Sequence, residues 1–281
     1  MDSSTHKVLC CVGSAVGGQP TQFVMEKAIA AAHLDWRVIT VEVEPDNLEA
    51  AIAGMRAMRF TAIRFFPPLE SRAAQLMSGQ CAVTSFVGGI TSARNNNGTW
   101  ECWHNSGLAL IDCFANRGDW AAATVWLDGD GETIRSLVAA NIQLSARRIL
   151  WSNPPSDLPS EISSRTISCR FSVQDAEATD RIVAEIGTES ETACLVLMGS
   201  QVSERVHALA TLETLSSRQL VVFSSTSSDK GRSQIDWPGK LAIIDQPALE
   251  IAKEIVDCRR WTDRQPVRSE IQDAYEEYMD L

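Results

Sequence analysis

From Trp36 to Val43 the chain alternates apolar and polar residues, the two-residue period of a strand with one buried face. Pro45-Asp46-Asn47 then supplies a turn and a cap, after which Leu48, Ile52 and Met55 recur at helical spacing. A second strand is predicted from Ala62 to Phe66, stopped by Pro67-Pro68, because a proline ring offers no N–H to continue a sheet. Further along, Leu108 to about Arg117 reads as a helix, Ala122 to Leu127 as a short apolar strand, Thr133 to Asn141 as a helix and Arg148 to Ser152 as a strand. Leu220 to Phe223 and Leu241 to Asp245 are further strands, and a helix then runs to Trp261-Thr262. Strands alternating with helices predict an α/β fold.

Composition narrows the classes. A chain of 281 residues, 44% of them hydrophobic, has the material for two modest globular domains. A formal net charge of -11 argues against nucleic acid as a partner, since phosphate binding needs concentrated Lys and Arg. The 8 cysteines are scattered, with no C-x-x-C pair, so reduced and mostly buried thiols are expected. The N-terminus has a short apolar run broken by glycines, and no run approaches the length of a membrane span, so a cytoplasmic protein with no membrane partner is expected.

The segment from His33 to Pro68, with its Leu34-Asp35-Trp36 block, two strands and proline stop, resembles the substrate domain of the shikimate 5-dehydrogenase (shikimate/quinate dehydrogenase) family. Other landmarks fall in order: Gly13 at the opening glycine turn, Gly88 in G-A-V-N-T, His104-Asn105 in G-x-N-T-D-G, and Trp261-Thr262 in the final E-L-W-T-G helix. The resemblance implies an α/β, two-domain architecture: an N-terminal α/β substrate domain over residues 1–108, a Rossmann-like nucleotide domain over 109–242, and helices at 243–281 returning to the first domain. It also implies NADPH-dependent reduction of 3-dehydroshikimate to shikimate. The family's catalytic Lys and Asp fall, however, on Glu70 and Gly107, and its substrate-binding Thr on Phe66. Substrate-binding positions correspond to Gln19, Thr21, Arg64, Thr91 and Lys253, with only the second hydroxyl of S-x-S kept, as Thr21. Arg64 and Lys253 are new cations there, able to pair with a carboxylate ligand or with acids of the chain itself.

The second domain shows the same mixture. Asp128-Gly129-Asp130-Gly131-Glu132 lies between a predicted strand and a predicted helix, the context in which backbone amides and a helix N-terminus receive a pyrophosphate. Gly129, Gly131 and Arg135 match the family's G-A-G-G-A-x-R, while Asp130 and Glu132 do not, and Asn153 keeps only the first residue of N-R-T because Pro154 follows. The resemblance implies NADP or NAD at Gly129, Asp130, Gly131, Arg135 and Asn153. Three carboxylates around the turn oppose a dianionic pyrophosphate. D-G-D-G-E is too short for an EF-hand loop, and no metal is expected. Two functions follow: a degenerate relative that has lost the reaction and keeps a binding or regulatory role, or an active NAD(P)-dependent oxidoreductase on shikimate, quinate or another small hydroxy acid.

Overall fold

The computed structural model describes residues 6–77, 82–116, 120–129, 131–141, 144, 146, 148–152, 154–156, 158–159, 194–198, 219–223 and 239–280. The chain divides into two compact units, Met1–Ala109 with Glu250–Leu281, and Leu110–Leu249. Among the described residues no helix is long and apolar enough to cross a membrane.

In the first unit β1 (Lys7–Gly13), β2 (Trp36–Glu42), β3 (Ala62–Phe65), β4 (Ser92–Asn96) and β5 (Thr99–Trp103) form one sheet in the order β2-β1-β3-β4-β5. The first three are parallel, and β4 and β5 run antiparallel as a hairpin against β3. Successive side chains of a strand point to opposite faces, and β1 accordingly feeds two cores. Leu9 and Cys11 pack with α1 (Thr21–Ala31) and the two helices that end the chain, whose buried residues include Ile251, Ile255, Trp261 and Ile271. Cys10 and Val12 pack against Leu48, Ile52 and Met55 of α2 (Leu48–Ala57) and Leu69 and Ala73 of α3 (Leu69–Leu76). The helical period read at 48, 52 and 55 is thus the buried stripe of α2, entered through a 3-10 turn at Pro45–Asn47. β2 is an edge strand with Trp36 and Val38 buried and Arg37 and Ile39 exposed, which explains its alternation. Between α3 and β4 lies α4 (Ala82–Val87).

The first crossing between units is made by α5 (Ser106–Ala115). It starts two residues before the predicted Leu108, because Asn105 accepts its first helical bond, from the N–H of Ala109 at 3.0 Å. In the second unit β6 (Ala123–Asp128), β7 (Arg148–Ser152), β8 (Cys194–Met198), β9 (Gln219–Phe223) and β10 (Leu241–Ile244) form an all-parallel sheet in the order β10-β9-β8-β6-β7. Continuously buried stretches, Val125 to Leu127 and Ile149 to Trp151, suit a parallel sheet covered on both faces. α6 (Glu132–Ala140) follows β6. Beyond β10 comes α7 (Gln246–Thr262), and the return to the first unit begins inside it, at Glu250; α8 (Arg268–Met279) completes that unit. The seven residues before Glu250, expected with the returning helices, therefore lie in the second unit.

Candidate functional site

One face of α7 carries Glu250, Glu254, Asp257 and Trp261, the i, i+4, i+7, i+11 positions of a core-facing stripe. Three of the four are acids, turned toward a sheet. Glu254 and Asp257 are fully buried, and polar side chains from other elements of the unit bind them. Thr21, at the start of α1, donates its hydroxyl to Glu254 Oε1 at 2.6 Å. Arg64, from the middle of β3, donates to Asp257 Oδ2 and lies 4.0 Å from Glu250 Oε2. Asn105 donates its side-chain amide to Asp257 Oδ1, and its backbone N–H goes to Thr91 Oγ1 at 2.9 Å. Lys253 binds Glu250 Oε1 at 2.9 Å. Trp261 Nε1 donates to Ser92 Oγ at 2.9 Å.

Charge balance singles out one acid within this cluster. Arg64 neutralises Asp257 and Lys253 neutralises Glu250, which leaves Glu254 as the surplus acid. Burial pushes the Glu254 carboxyl up to about 7, with Arg64 pulling it down and Asp257 pushing it up. Its second oxygen, Oε2, has no hydrogen-bond partner among the described residues, a further reason for it to hold its proton. Burial alone would lower the Arg64 value, but Asp257, Glu254, Glu250 and Glu70 together hold it above the usual guanidinium range. The cluster is electroneutral with Glu254 protonated.

The structure thus brings together four of the five expected substrate positions, Thr21, Arg64, Thr91 and Lys253. Each of the two cations meets an acid of the chain itself. Gln19 stays outside, exposed in the turn before α1. Beside the cluster, Phe66 is buried over the opening glycine turn: a Cβ on Gly13 would stand 3.1 Å from Phe66 Cβ and 2.5 Å from Val16 Cγ1. The Arg64 guanidinium lies 5.7 Å from the Phe66 ring centroid. Sequence reasoning missed Glu250, Glu254 and Asp257. Their signal was available as acids at the helical period of the apolar residue Trp261.

In the second unit, the turn between β6 and α6 stands where β7 and β8 flank β6 on opposite sides, the topological switch point at which open α/β sheets bind ligands. Gly129 has φ 101, a left-handed conformation natural to glycine, and its carbonyl accepts from Trp151 Nε1 at 2.8 Å. Gly131 is extended at the N-cap of α6, the Arg135 N–H closes the first helical bond to it at 3.0 Å, and Glu132 stands in the first turn. A carboxylate in the first turn is favoured by the helix N-terminus and repels a second anion by like charge. Asp130 and Asn153 lie outside the described residues.

No family model matches the chain. The shikimate dehydrogenase (NADP(+)) of a Nostoc species is 25% identical over 151 residues, 53% of this chain and 52% of that protein. The sequence match therefore spans about half the length of that relative. The crystal structure of shikimate 5-dehydrogenase from Listeria monocytogenes in complex with shikimate and NAD superposes with a TM-score of 0.72 at 14% identity, covering 96% of each chain. The chain has the shikimate dehydrogenase fold and a weak sequence similarity to those enzymes. The fold is not confined to that one activity: the ligand-free 5-ketofructose reductase of a Gluconobacter strain superposes with a TM-score of 0.73 at 12% identity, covering 98% of this chain and 99% of that one.

Within this shikimate dehydrogenase fold, Glu70 sits in the first turn of α3, half-buried, at the position that resembles the family's lysine. Gly107 is buried in α5 at the position that resembles its aspartate. His104 follows β5 and is half-buried, and Ser106, buried, opens α5. The expected thiols form no disulfide where described: Cys10, Cys11, Cys113 and Cys258 are buried and Cys102 half-buried. Burial pushes the Cys10 and Cys102 thiols up to about 12, so neither is a reactive thiolate at neutral pH.

Proposed function

We propose that this chain keeps the shikimate dehydrogenase scaffold without the family's reduction of 3-dehydroshikimate, and serves as a binding or regulatory protein. The observation that carries this reading is the α7 carboxylate cluster. Thr21, Arg64 and Lys253, at positions that would hold an acidic substrate in a family member, are bound to Glu254, Asp257 and Glu250 of the chain itself. A substrate carboxylate would have to displace a buried, hydrogen-bonded carboxylate in order to reach Arg64. Two further features agree with it. Glu70 and Gly107 supply neither the cation nor the aspartate that the family uses to follow the proton of the carbonyl oxygen. The Glu132 carboxylate stands in the turn where NADP or NAD, the cofactors the family implies, would place a pyrophosphate.

The test is a titration of the purified chain with NADPH and NADH, followed by nicotinamide fluorescence, beside a thermal-shift series with shikimate and quinate. The reading predicts no saturable nucleotide signal and no stabilisation by either acid at millimolar concentration. Saturable binding of a nucleotide together with stabilisation by an acid would instead support an active oxidoreductase on a small hydroxy acid.

A further inference from the structure

The opposite edge of the first unit's sheet carries a second polar feature. Lys7 opens β1, Trp36 opens β2 and Thr61 precedes β3, and around these N-terminal strand ends lies a cavity of about 670 Å³. In parallel α/β sheets ligands bind beyond the carboxyl ends of the strands, so this cavity belongs to neither the α7 cluster nor the family's substrate position. Its lining includes four cations, Lys7, Arg56, Arg59 and Arg94, and one acid, Asp263. That balance runs against a chain whose net charge is -11.

The cations differ in how they are held. Arg94 is fixed by a two-pronged pair with Asp263, both bonds 2.7 Å, and by a bond to the Arg260 carbonyl at 2.8 Å. Lys7 lies 5.0 Å from the centroid of the Trp36 ring, and Arg56 and Arg59 are exposed. None of these three makes a salt bridge among the described residues. The carboxyl ends of α2 and α7 reach the cavity and each contributes about half a negative charge. With Asp263 included, an excess of roughly two positive charges is left. Arg59 also occupies the left-handed position after α2, φ 59, where the N–H of Phe60 returns to the Met55 carbonyl at 2.9 Å. Glycine is the usual residue at such a helix end, and here a cation stands at the rim in an unfavoured backbone conformation.

We propose that this cavity is a binding site for a small dianion, a phosphate monoester or a dicarboxylate, with Arg59, Arg56 and Lys7 as its principal ligands and Arg94 as its fixed wall. The volume suits a small metabolite, and Trp36 and Phe60 supply apolar surface for its carbon skeleton. The site is independent of the function proposed above: of the α7 face only Trp261 lines it, and neither the carboxylates Glu250, Glu254 and Asp257 nor the β6–α6 turn contributes to it.

The experiment titrates the full chain with inorganic phosphate and, separately, with succinate at constant ionic strength and pH 7.5, reading tryptophan fluorescence and melting temperature. Saturable binding of at least one anion is expected, and the preferred anion distinguishes a phosphate ester from a dicarboxylate, either result supporting the site. Arg59→Gly and Arg56→Gln should each weaken the affinity about tenfold, as expected for loss of one charge-assisted bond. Both side chains are exposed, and glycine suits the backbone at 59, so these variants keep the fold. A response that never saturates, that chloride reproduces, or that is unchanged in both variants overturns the proposal.

Discussion

A carboxyl group with its ordinary value near 4.5 and its folded value at about 7 makes Glu254 the side chain that most directly reports on the buried cluster. Below pH 4.5 it is protonated both folded and unfolded, and folding carries no ionisation penalty. Between 4.5 and 7 the unfolded chain loses the proton first, so the stabilising contribution of the protonated form declines as pH rises. Above 7 the penalty is complete, at up to roughly 3 kcal/mol. Glu254→Gln keeps an acceptor for Thr21 and removes the titration. Denaturant unfolding should therefore show the variant gaining on the parent between pH 5 and pH 7, and more stable at pH 8 by about 1–3 kcal/mol. Equal pH profiles would contradict a protonated Glu254. Arg64→Met has the opposite sign, because it strands Asp257 in the core, and should cost about 3–5 kcal/mol at pH 7 by the same measurement.

At the level of elements, most of the fold was legible in the chain. β2, α2, β3, β6, α6 and β7 stand within a residue or two of the spans read from periodicity, since a two-residue or helical apolar period leaves little choice of element. α7 was legible as a helix and illegible as a site. Buried acids look like the solvated face of any helix until a partner is known, and the partners of Glu254 and Asp257 come from α1, β3 and the start of α5, up to 233 residues away in sequence. Arg64 was read with two possible partners, a ligand carboxylate or an acid of the chain, and only the register of β3 beneath α7 identifies Asp257. The β6–α6 turn gives a test at this scale. If carboxylates exclude the nucleotide, Asp130→Ala combined with Glu132→Gly should improve NADH affinity by about one to two kcal/mol, roughly tenfold, in a fluorescence titration. Unchanged affinity would mean that shape closes the turn instead of charge.

For the whole molecule, the two-unit architecture and the relation to shikimate dehydrogenases agree with the order of landmarks from Gly13 to Trp261-Thr262, although local chemistry at those landmarks has been replaced. Fold and function are separable for a physical reason: apolar stripes and glycine turns specify a scaffold, while a reaction rests on a few polar groups whose loss would leave packing intact. In this chain those positions are rebuilt into an internal network, with Arg64 and Lys253 engaged by acids of α7 and with Phe66 packed over Gly13. The most direct test of this account is the oxidation of NADPH by the purified full chain in the presence of 3-dehydroshikimate. Each missing proton-handling group typically contributes about a hundredfold or more, so no oxidation above the protein-free rate is predicted. Steady oxidation that depends on 3-dehydroshikimate and proceeds at a rate typical of enzymes would contradict it.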